Sequence, residues 1–200
     1  MNPIQSYIER EANAILHIPV EESYNKALDI IYQRVHQQHG KAVVSGMGKA
    51  GQIAVSIATT FSSTGTPAVF LHPADAQHGD LGILRENDVL ILISNSGKTR
   101  EILELIALTH NLYPGIPLIV ITGNKESELA KMADVCIYTG GPQELCPLGL
   151  SPTISTTVMS VIGDILVVSM MERIGFTASD YAKRHHGGYL GEKSRSQSRN

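Results

Sequence analysis

Cysteine is nearly absent: Cys136 and Cys146 are the two in 200 residues. One lies in an apolar, strand-like run and the other in a loop. They cannot build a disulfide framework, so a reducing cytosol is the expected compartment. There is no surplus of positive charge either. Lys and Arg number 16 against 19 Asp and Glu, a formal net charge of −3, which leaves no electrostatic footprint for nucleic acid. No secretory leader is expected, because the opening MNPIQSYIEREANAIL is amphipathic and holds Glu9 and Glu11. The most apolar stretch, Val158 to Met171, is short for a bilayer and carries Gly163 and Asp164, so it reads as a buried core helix. Internal repeats and interdomain linkers are missing too. These absences leave a soluble cytoplasmic chain whose 42% hydrophobic content can build one substantial core.

Hydrophobic periodicity then divides the chain. Ile4, Ile8, Ala12 and Ile15 recur at helical spacing, as do Tyr24, Leu28, Ile31 and Val35, with Pro19 between the two helices and Gly40 closing the second. Short β-branched and apolar runs follow at 42–45, 67–71, 88–93, 117–121 and 134–138. Helical patterns fill the gaps at 50–62, 99–110 and 126–132. A long buried helix is predicted over about 153–173, after an irregular stretch at 139–152. Apolar strands alternating with helices imply a parallel sheet covered on both faces. The predicted fold class is α/β: a three-layer α-β-α sandwich of flavodoxin or Rossmann type with a five-stranded parallel sheet. Residues 1–39 form N-terminal helices packed on the domain, 40–191 the main domain, and 192–200 a flexible tail with Lys193, Arg195 and Arg199 among Ser, Gln and Asn.

In such a sheet ligands bind beyond the carboxyl ends of the strands, here 45–49, 72–80, 94–99, 122–125 and 139–152. The run DVLILISNSGKTREILELI passes from buried strand to polar turn to helix. Ser94, Ser96 and Thr99, the flexible Gly97 and the first N–H groups of the helix converge there, where the helix dipole favours an anion. A plain N-cap needs one hydroxyl; three around a glycine point to a phosphate. Gly97-Lys98-Thr99 ends like a Walker A motif, but position 92, where that motif needs glycine, is Leu. Gly46-Met47-Gly48-Lys49-Ala50-Gly51 fits the dinucleotide fingerprint in the right context. Such a site wants an acid at the end of the next strand, which here closes in His72-Pro73 with Asp75 beyond the proline. That disfavours a dinucleotide.

Read together, GMGKAG, FSSTGTPAVFLHPADAQHGDLG, SNSGKTREI, ELCPLGLSPTISTTVM and GFTASDYAKRHHGGYLG, in this order from about residue 40 to 191, resemble the arabinose-5-phosphate isomerase branch of the SIS (sugar isomerase) family. The resemblance implies interconversion of D-ribulose 5-phosphate and D-arabinose 5-phosphate, feeding the Kdo sugar of bacterial lipopolysaccharide. It also implies homotetramers with active sites at subunit interfaces, residues 1–39 taking part in the oligomer interface. Ser94, Asn95, Ser96 and Thr99 match the family's phosphate loop, and Lys49, Glu101, Glu144 and His185 match its catalytic residues. Gly48, Gly65, Thr66, His72 and His78 match substrate-contacting positions, His72 also matching a divalent-ion position. No cofactor is required by this chemistry, and an ion is expected to be adventitious or inhibitory. Three departures stand out. Lys98 replaces a usual acid, and His185-His186-Gly187-Gly188 replaces His-Pro-Gly-Gly. The resemblance also ends where many relatives continue into regulatory CBS modules, so control through such modules is not expected.

Aldose–ketose isomerisation needs an acid/base for ring opening, a base moving a proton between C1 and C2 through an enediol, and donors or a cation facing the developing oxyanion. His185, polar and glycine-flanked, suits proton transfer near neutrality. Glu144, in a Pro- and Gly-constrained loop, suits a partly desolvated base. Lys49 offers the cation. Glu101 has an ordinary alternative, offsetting a helix dipole. Ser155, Thr156 and Thr157 can cap the long helix or donate to the sugar phosphate. His72 and His78 lack the tighter spacing and third ligand of a metal site. Two other functions remain open: a non-catalytic phosphosugar-binding regulator, and an isomerase of a hexulose or heptulose phosphate.

Overall fold

Runs of Val, Ile and Leu between amphipathic helices condense into a single sheet in the computed structural model, which describes residues 2–197. Helices α1 (Pro3–Leu16) and α2 (Ser23–Ile31) lead into β1 (Ala42–Gly46), α3 (Gly48–Ser63), β2 (Ala68–Phe70), the short α4 (Pro73–Ala76) and β3 (Val89–Ile93). Then come α5 (Arg100–Leu112), β4 (Leu118–Thr122), α6 (Glu128–Met132), β5 (Val135–Tyr138), α7 (Ile154–Arg173), α8 (Ala178–Arg184) and α9 (Gly188–Gln197). The strand order is β2-β1-β3-β4-β5, parallel throughout, with Val44 beside both Phe70 and Ile91 and Ile93 beside Ile121. Because side chains alternate along a strand, Val44, Ile91, Ile93, Ile119 and Ile121 pack with α2, α3 and α7. Val43, Leu90, Leu92, Leu118 and Val120 pack with α5 and α6 on the other face. The three-layer α/β architecture is as predicted.

The first and second strands to be threaded, β1 and β2, run one way across the sheet and β3 to β5 the other. The crevice between the β1 and β3 loops is therefore the topological switch point, where ligands of open α/β sheets bind.

Four local outcomes differ from expectation. Helix α2 does not run straight to Gly40: at Tyr32–Gln37 it widens into a π-type turn, with Gln38 N–H reaching the Gln33 carbonyl at 3.0 Å. His39, with φ 60°, takes the left-handed position, while Gly40 is small because a Cβ there would lie 2.0 Å from the Asn87 carbonyl oxygen. Helix α7 has 20 residues and is long and apolar enough to cross a membrane, so length does not exclude a span as expected. Burial argues for the core reading instead: half of its most apolar stretch lies inside the fold, with Ile162, Gly163 and Leu166 against α3 and the sheet. Finally, the expected tail from 192 continues as helix to Gln197, with Ser194 buried and its hydroxyl donating to the Gly191 carbonyl. Residues 198–200 lie outside the described residues.

Candidate active site

The β3–α5 loop is built as an anion cradle. Ser94 is buried, and its Oγ shares a 2.8 Å hydrogen bond with Thr99 Oγ1 while accepting the Gly97 N–H at 3.1 Å. Ser96 Oγ accepts the Lys98 N–H at 3.2 Å. Gly97 sits at φ 64°, and a Cβ on it would fall 2.0 Å from Ser127 Oγ. Only glycine fits there. Thr99 occupies the N-cap position of α5 but its side chain makes no cap hydrogen bond, so the plain capping explanation fails. The N–H groups of Asn95, Ser96, Thr99, Arg100 and Glu101 consequently find no acceptor among the described residues. Unpaired amides at the positive end of a helix dipole are an anion site. Lys98, exposed, adds positive charge at its rim.

A cavity of about 730 Å³ adjoins the loop, lined by Asn95, by the segment from Pro142 to Leu150, and by Arg10 of α1. Glu144 is half-buried in it. Its Oε2 accepts the Thr153 N–H at 2.7 Å, the Thr153 hydroxyl at 2.8 Å and the Ser155 N–H at 3.3 Å, so it caps the start of α7. Burial pushes its pKa up, but the hydrogen bonds from Ser155 and Thr153 outweigh that and hold it below the ordinary carboxylate value. The partly desolvated base expected from the sequence is thus a firmly ionised carboxylate, with Oε1 left free of hydrogen bonds among the described residues. The hydroxyls of Thr156 and Thr157 donate to the Thr153 carbonyl at 2.7 and 3.3 Å and Ser155 is buried, so these residues close the first turn of α7. Cys146, on the same cavity, has its thiol pulled down to about 6 by the backbone N–H groups of Ser151, Leu150 and Leu148 and by the Ser151 hydroxyl.

The remaining predicted residues fall into two places. Lys49 is exposed in the first turn of α3, beside Gly48, with no acidic partner among the described residues. A cation there opposes the helix dipole, so helix stability does not explain it. Glu101 sits in the first turn of α5, where the dipole does favour it. His72 ends β2's strand-to-helix turn: its ring meets Phe70 edge-on, and its buried Nδ1 lacks a hydrogen bond, with Asp75 Oδ2 at 3.6 Å. His78 is exposed on the same loop. No group of three or more His, Cys, Asp or Glu is placed to hold a metal among the described residues. His72 with Asp75 offers two donors, fewer than a metal site usually takes, and no step is assigned to an ion.

Gly65, Thr66 and His185 are not brought to this crest. Gly65 and Thr66 lie past the C-terminus of α3, a helix of 16 residues and hence ~24 Å long, on the sheet's opposite edge. Gly65 is covered by the Phe176 ring, and Thr66 is buried with its Oγ1 3.1 Å from His36 Nε2. Their open contact with a ligand, as the resemblance implied, is not available within one chain. His185 caps α8 near them. Its ring stacks on Tyr181 at 3.7 Å, and Tyr181 in turn meets Phe176. His185 Nδ1 lies 3.1 Å from the Tyr181 carbonyl oxygen. A carbonyl only accepts, so Nδ1 carries the proton and Nε2 is the free basic nitrogen. His186 is exposed and unstacked. Arg10 lies outside every motif read from the sequence, and Thr153 lies inside the run ELCPLGLSPTISTTVM, where nothing in the spacing announces its contact with Glu144.

A profile of the SIS domain matches residues 34–169. Over 186 residues the chain is 47% identical to arabinose 5-phosphate isomerase KdsD of Yersinia pestis and 46% identical to the protein of that name from Pseudomonas aeruginosa. Each alignment covers 93% of this chain but 55% of the relative, so the chain spans about half the length of the curated relatives it matches. Among solved structures, a Bacteroides fragilis NCTC 9343 protein described as a candidate phosphosugar isomerase involved in capsule formation is 64% identical, with TM-score 0.92, covering 93% of this chain and 97% of that one. An E. coli CFT073 protein solved in complex with arabinose 5-phosphate is 36% identical, with TM-score 0.84, over 91% and 95% of the two chains.

Proposed function

The chain belongs to the SIS domain family, and from that premise we propose that it is an aldose–ketose isomerase interconverting D-ribulose 5-phosphate and D-arabinose 5-phosphate. The observation that carries the reading is the unpaired N–H array and hydroxyl cluster of Ser94–Thr99 opening beside a free carboxylate oxygen of Glu144. A phosphate on the loop leaves the sugar chain to extend into the cavity. The names of the Yersinia and Pseudomonas relatives and the arabinose 5-phosphate bound by the E. coli protein support the substrate.

Glu144 Oε1 takes the proton from one of C1 and C2 and returns it to the other through the enediolate, while an acid/base exchanges the proton between the two oxygens. No electrons leave the substrate, so no redox cofactor takes part. Lys49 supplies positive charge toward the enediolate oxygen or the phosphate, Glu101 lies at the base of the phosphate loop, and His72 and His78 face sugar hydroxyls. His185 opens the sugar ring through Nε2. Because His185 lies away from the crest with Nε2 free, a second copy delivers it, while Gly65 and Thr66, covered within their own chain, shape the surface around it: the working unit is a homo-oligomer, a tetramer in this reading. Exposed apolar residues on α1 (Ile4, Tyr7, Ile8) and α7 (Ile165, Val168) provide surface for that association. The product enters cytoplasmic synthesis of envelope carbohydrate, Kdo for lipopolysaccharide.

The test is turnover by the purified chain. Ribulose 5-phosphate should yield arabinose 5-phosphate, with deuterium from D₂O at C2 to the extent that the Glu144 carboxyl exchanges its proton before returning it. Sugar-phosphate binding with neither product nor exchange would overturn the reading in favour of a sensor. Preferential turnover of a hexulose phosphate would overturn the substrate assignment.

A further inference from the structure

We propose that Arg10, on the N-terminal helix, is a positioning residue of this site: it clamps the peptide that carries Glu144 so that the carboxylate points into the cavity. The proposal rests on the reading of Glu144 as the proton-transferring base. Arg10 Nη2 donates to the Glu144 carbonyl oxygen at 2.7 Å, a contact across 134 residues of sequence. The N–H of that same peptide unit, on Leu145, donates to Thr153 Oγ1 at 2.9 Å. One peptide plane is thus held at its oxygen by α1 and at its nitrogen by α7.

A plane fixed at both ends cannot rotate, and its orientation sets the direction in which the Glu144 side chain leaves the backbone. The Glu144 carboxylate is tied to Thr153 and Ser155, and the Cys146 sulfur gathers the N–H groups of Leu148, Leu150 and Ser151, but Arg10 is the one tie from this segment to the N-terminal helix among the hydrogen bonds of the described residues. Leu148 and Leu150 are 77% and 78% exposed, and the segment's internal backbone bond is Gly149 N–H to the Cys146 carbonyl at 2.8 Å. Arg10 is itself exposed and makes no ion pair among the described residues, so its guanidinium is committed to this carbonyl rather than to a carboxylate. Arg10 is also the single cation among the described residues lining the cavity. Its removal therefore loosens the catalytic loop without unpairing a buried charge.

Two measurements test the clamp. Arg10→Ala should lower kcat roughly 10- to 100-fold, the scale of a catalytic group displaced by about an ångström. KM for ribulose 5-phosphate should change little, because the phosphate is held by the Ser94–Thr99 loop, and Arg10→Lys should restore part of kcat. In substrate-free protein, amide hydrogen exchange across 142–152 should accelerate in Arg10→Ala while β3 stays protected. Unchanged exchange would overturn the proposal. So would a raised KM at unchanged kcat, which would make Arg10 a substrate ligand instead. If Arg10→Ala fails to fold, the same exchange comparison on Arg10→Lys and Arg10→Gln decides it. Accelerated exchange in a chain whose wild type turns over no sugar phosphate would uphold the clamp and overturn the isomerase reading.

Discussion

Glu144 keeps its charge because Thr153 and Ser155 aim donors at one carboxylate oxygen, against the opposing effect of burial. Thr153→Val removes the hydroxyl donor to Oε2 and leaves the Leu145 N–H unpaired. With burial retained and a donor lost, the pKa must rise, so the acid limb of kcat/KM should move to higher pH between pH 4 and 8. An unmoved limb would show that Glu144 is not the group being titrated. The same shift has a stability consequence. A folded pKa below the unfolded one contributes stability that is present above the unfolded value of about 4.3 and is lost as pH falls through the folded one. Thr153→Val should flatten that acid sensitivity and cost about 1 kcal/mol at neutral pH, measured by urea unfolding at several pH values. Cys146 and Cys136 make a second residue-scale contrast. Amide donors pull the Cys146 thiol down to about 6, whereas burial pushes that of Cys136 up. Iodoacetamide at pH 7 should label Cys146 many times faster, and peptide mass spectrometry gives the ratio; equal rates would contradict the amide cradle.

At the scale of elements, α3 and α7 approach closely because position 163 has no side chain. A Cβ there would lie 2.4 Å from Ile57 Cγ1, with the rest of both helices already packed. Gly163→Ala should destabilise by about 1–3 kcal/mol through overpacking, and Ile57→Ala, which removes both Cγ1 and Cδ1, should in the same chain cost less than it does alone, a coupling read from a double-mutant cycle. Full additivity would mean that the contact does not set the helix separation. Helices α8 and α9 show why some elements were not foreseen. No residue of α8 is buried, so it lacks a hydrophobic period. A capping box holds it instead: Thr177 and Asp180 bond reciprocally, and Asp180 is pulled down to about 2 chiefly by the Thr177 hydroxyl and N–H. The π-type turn after α2 was equally invisible, since it preserves the apolar spacing while carrying His36 toward Thr66.

At the scale of the whole molecule, one chain holds the anion loop and Glu144 at the crest and His185 with Thr66 elsewhere. If catalysis joins them between copies, two inactive variants should rescue each other. His185→Ala and Glu144→Ala, mixed under mild denaturation and reassociated, should regain a substantial fraction of activity, because some interfaces then pair an intact His185 with an intact Glu144. Neither variant treated alone should. Absence of rescue, with subunit exchange verified by native mass spectrometry, would place the whole site within one chain and overturn the shared-site reading.

Local patterns determined much of this protein. Runs of β-branched residues and helical apolar spacing specify strands and helices through short-range geometry, and their alternation implies the parallel sheet that was found. The Ser94–Thr99 loop was legible for the same reason: strand, hydroxyls, glycine and helix start are contiguous in the chain. Contacts between distant segments were not. The Arg10 clamp on Glu144, the downward shift of that carboxylate, the burial of Thr66 against His36 and the separation of His185 from the crest depend on where packed elements lie and which way side chains leave them. Tertiary packing decides these, because hydrogen-bond partners and desolvation are properties of spatial neighbours, and the sequence orders only chain neighbours.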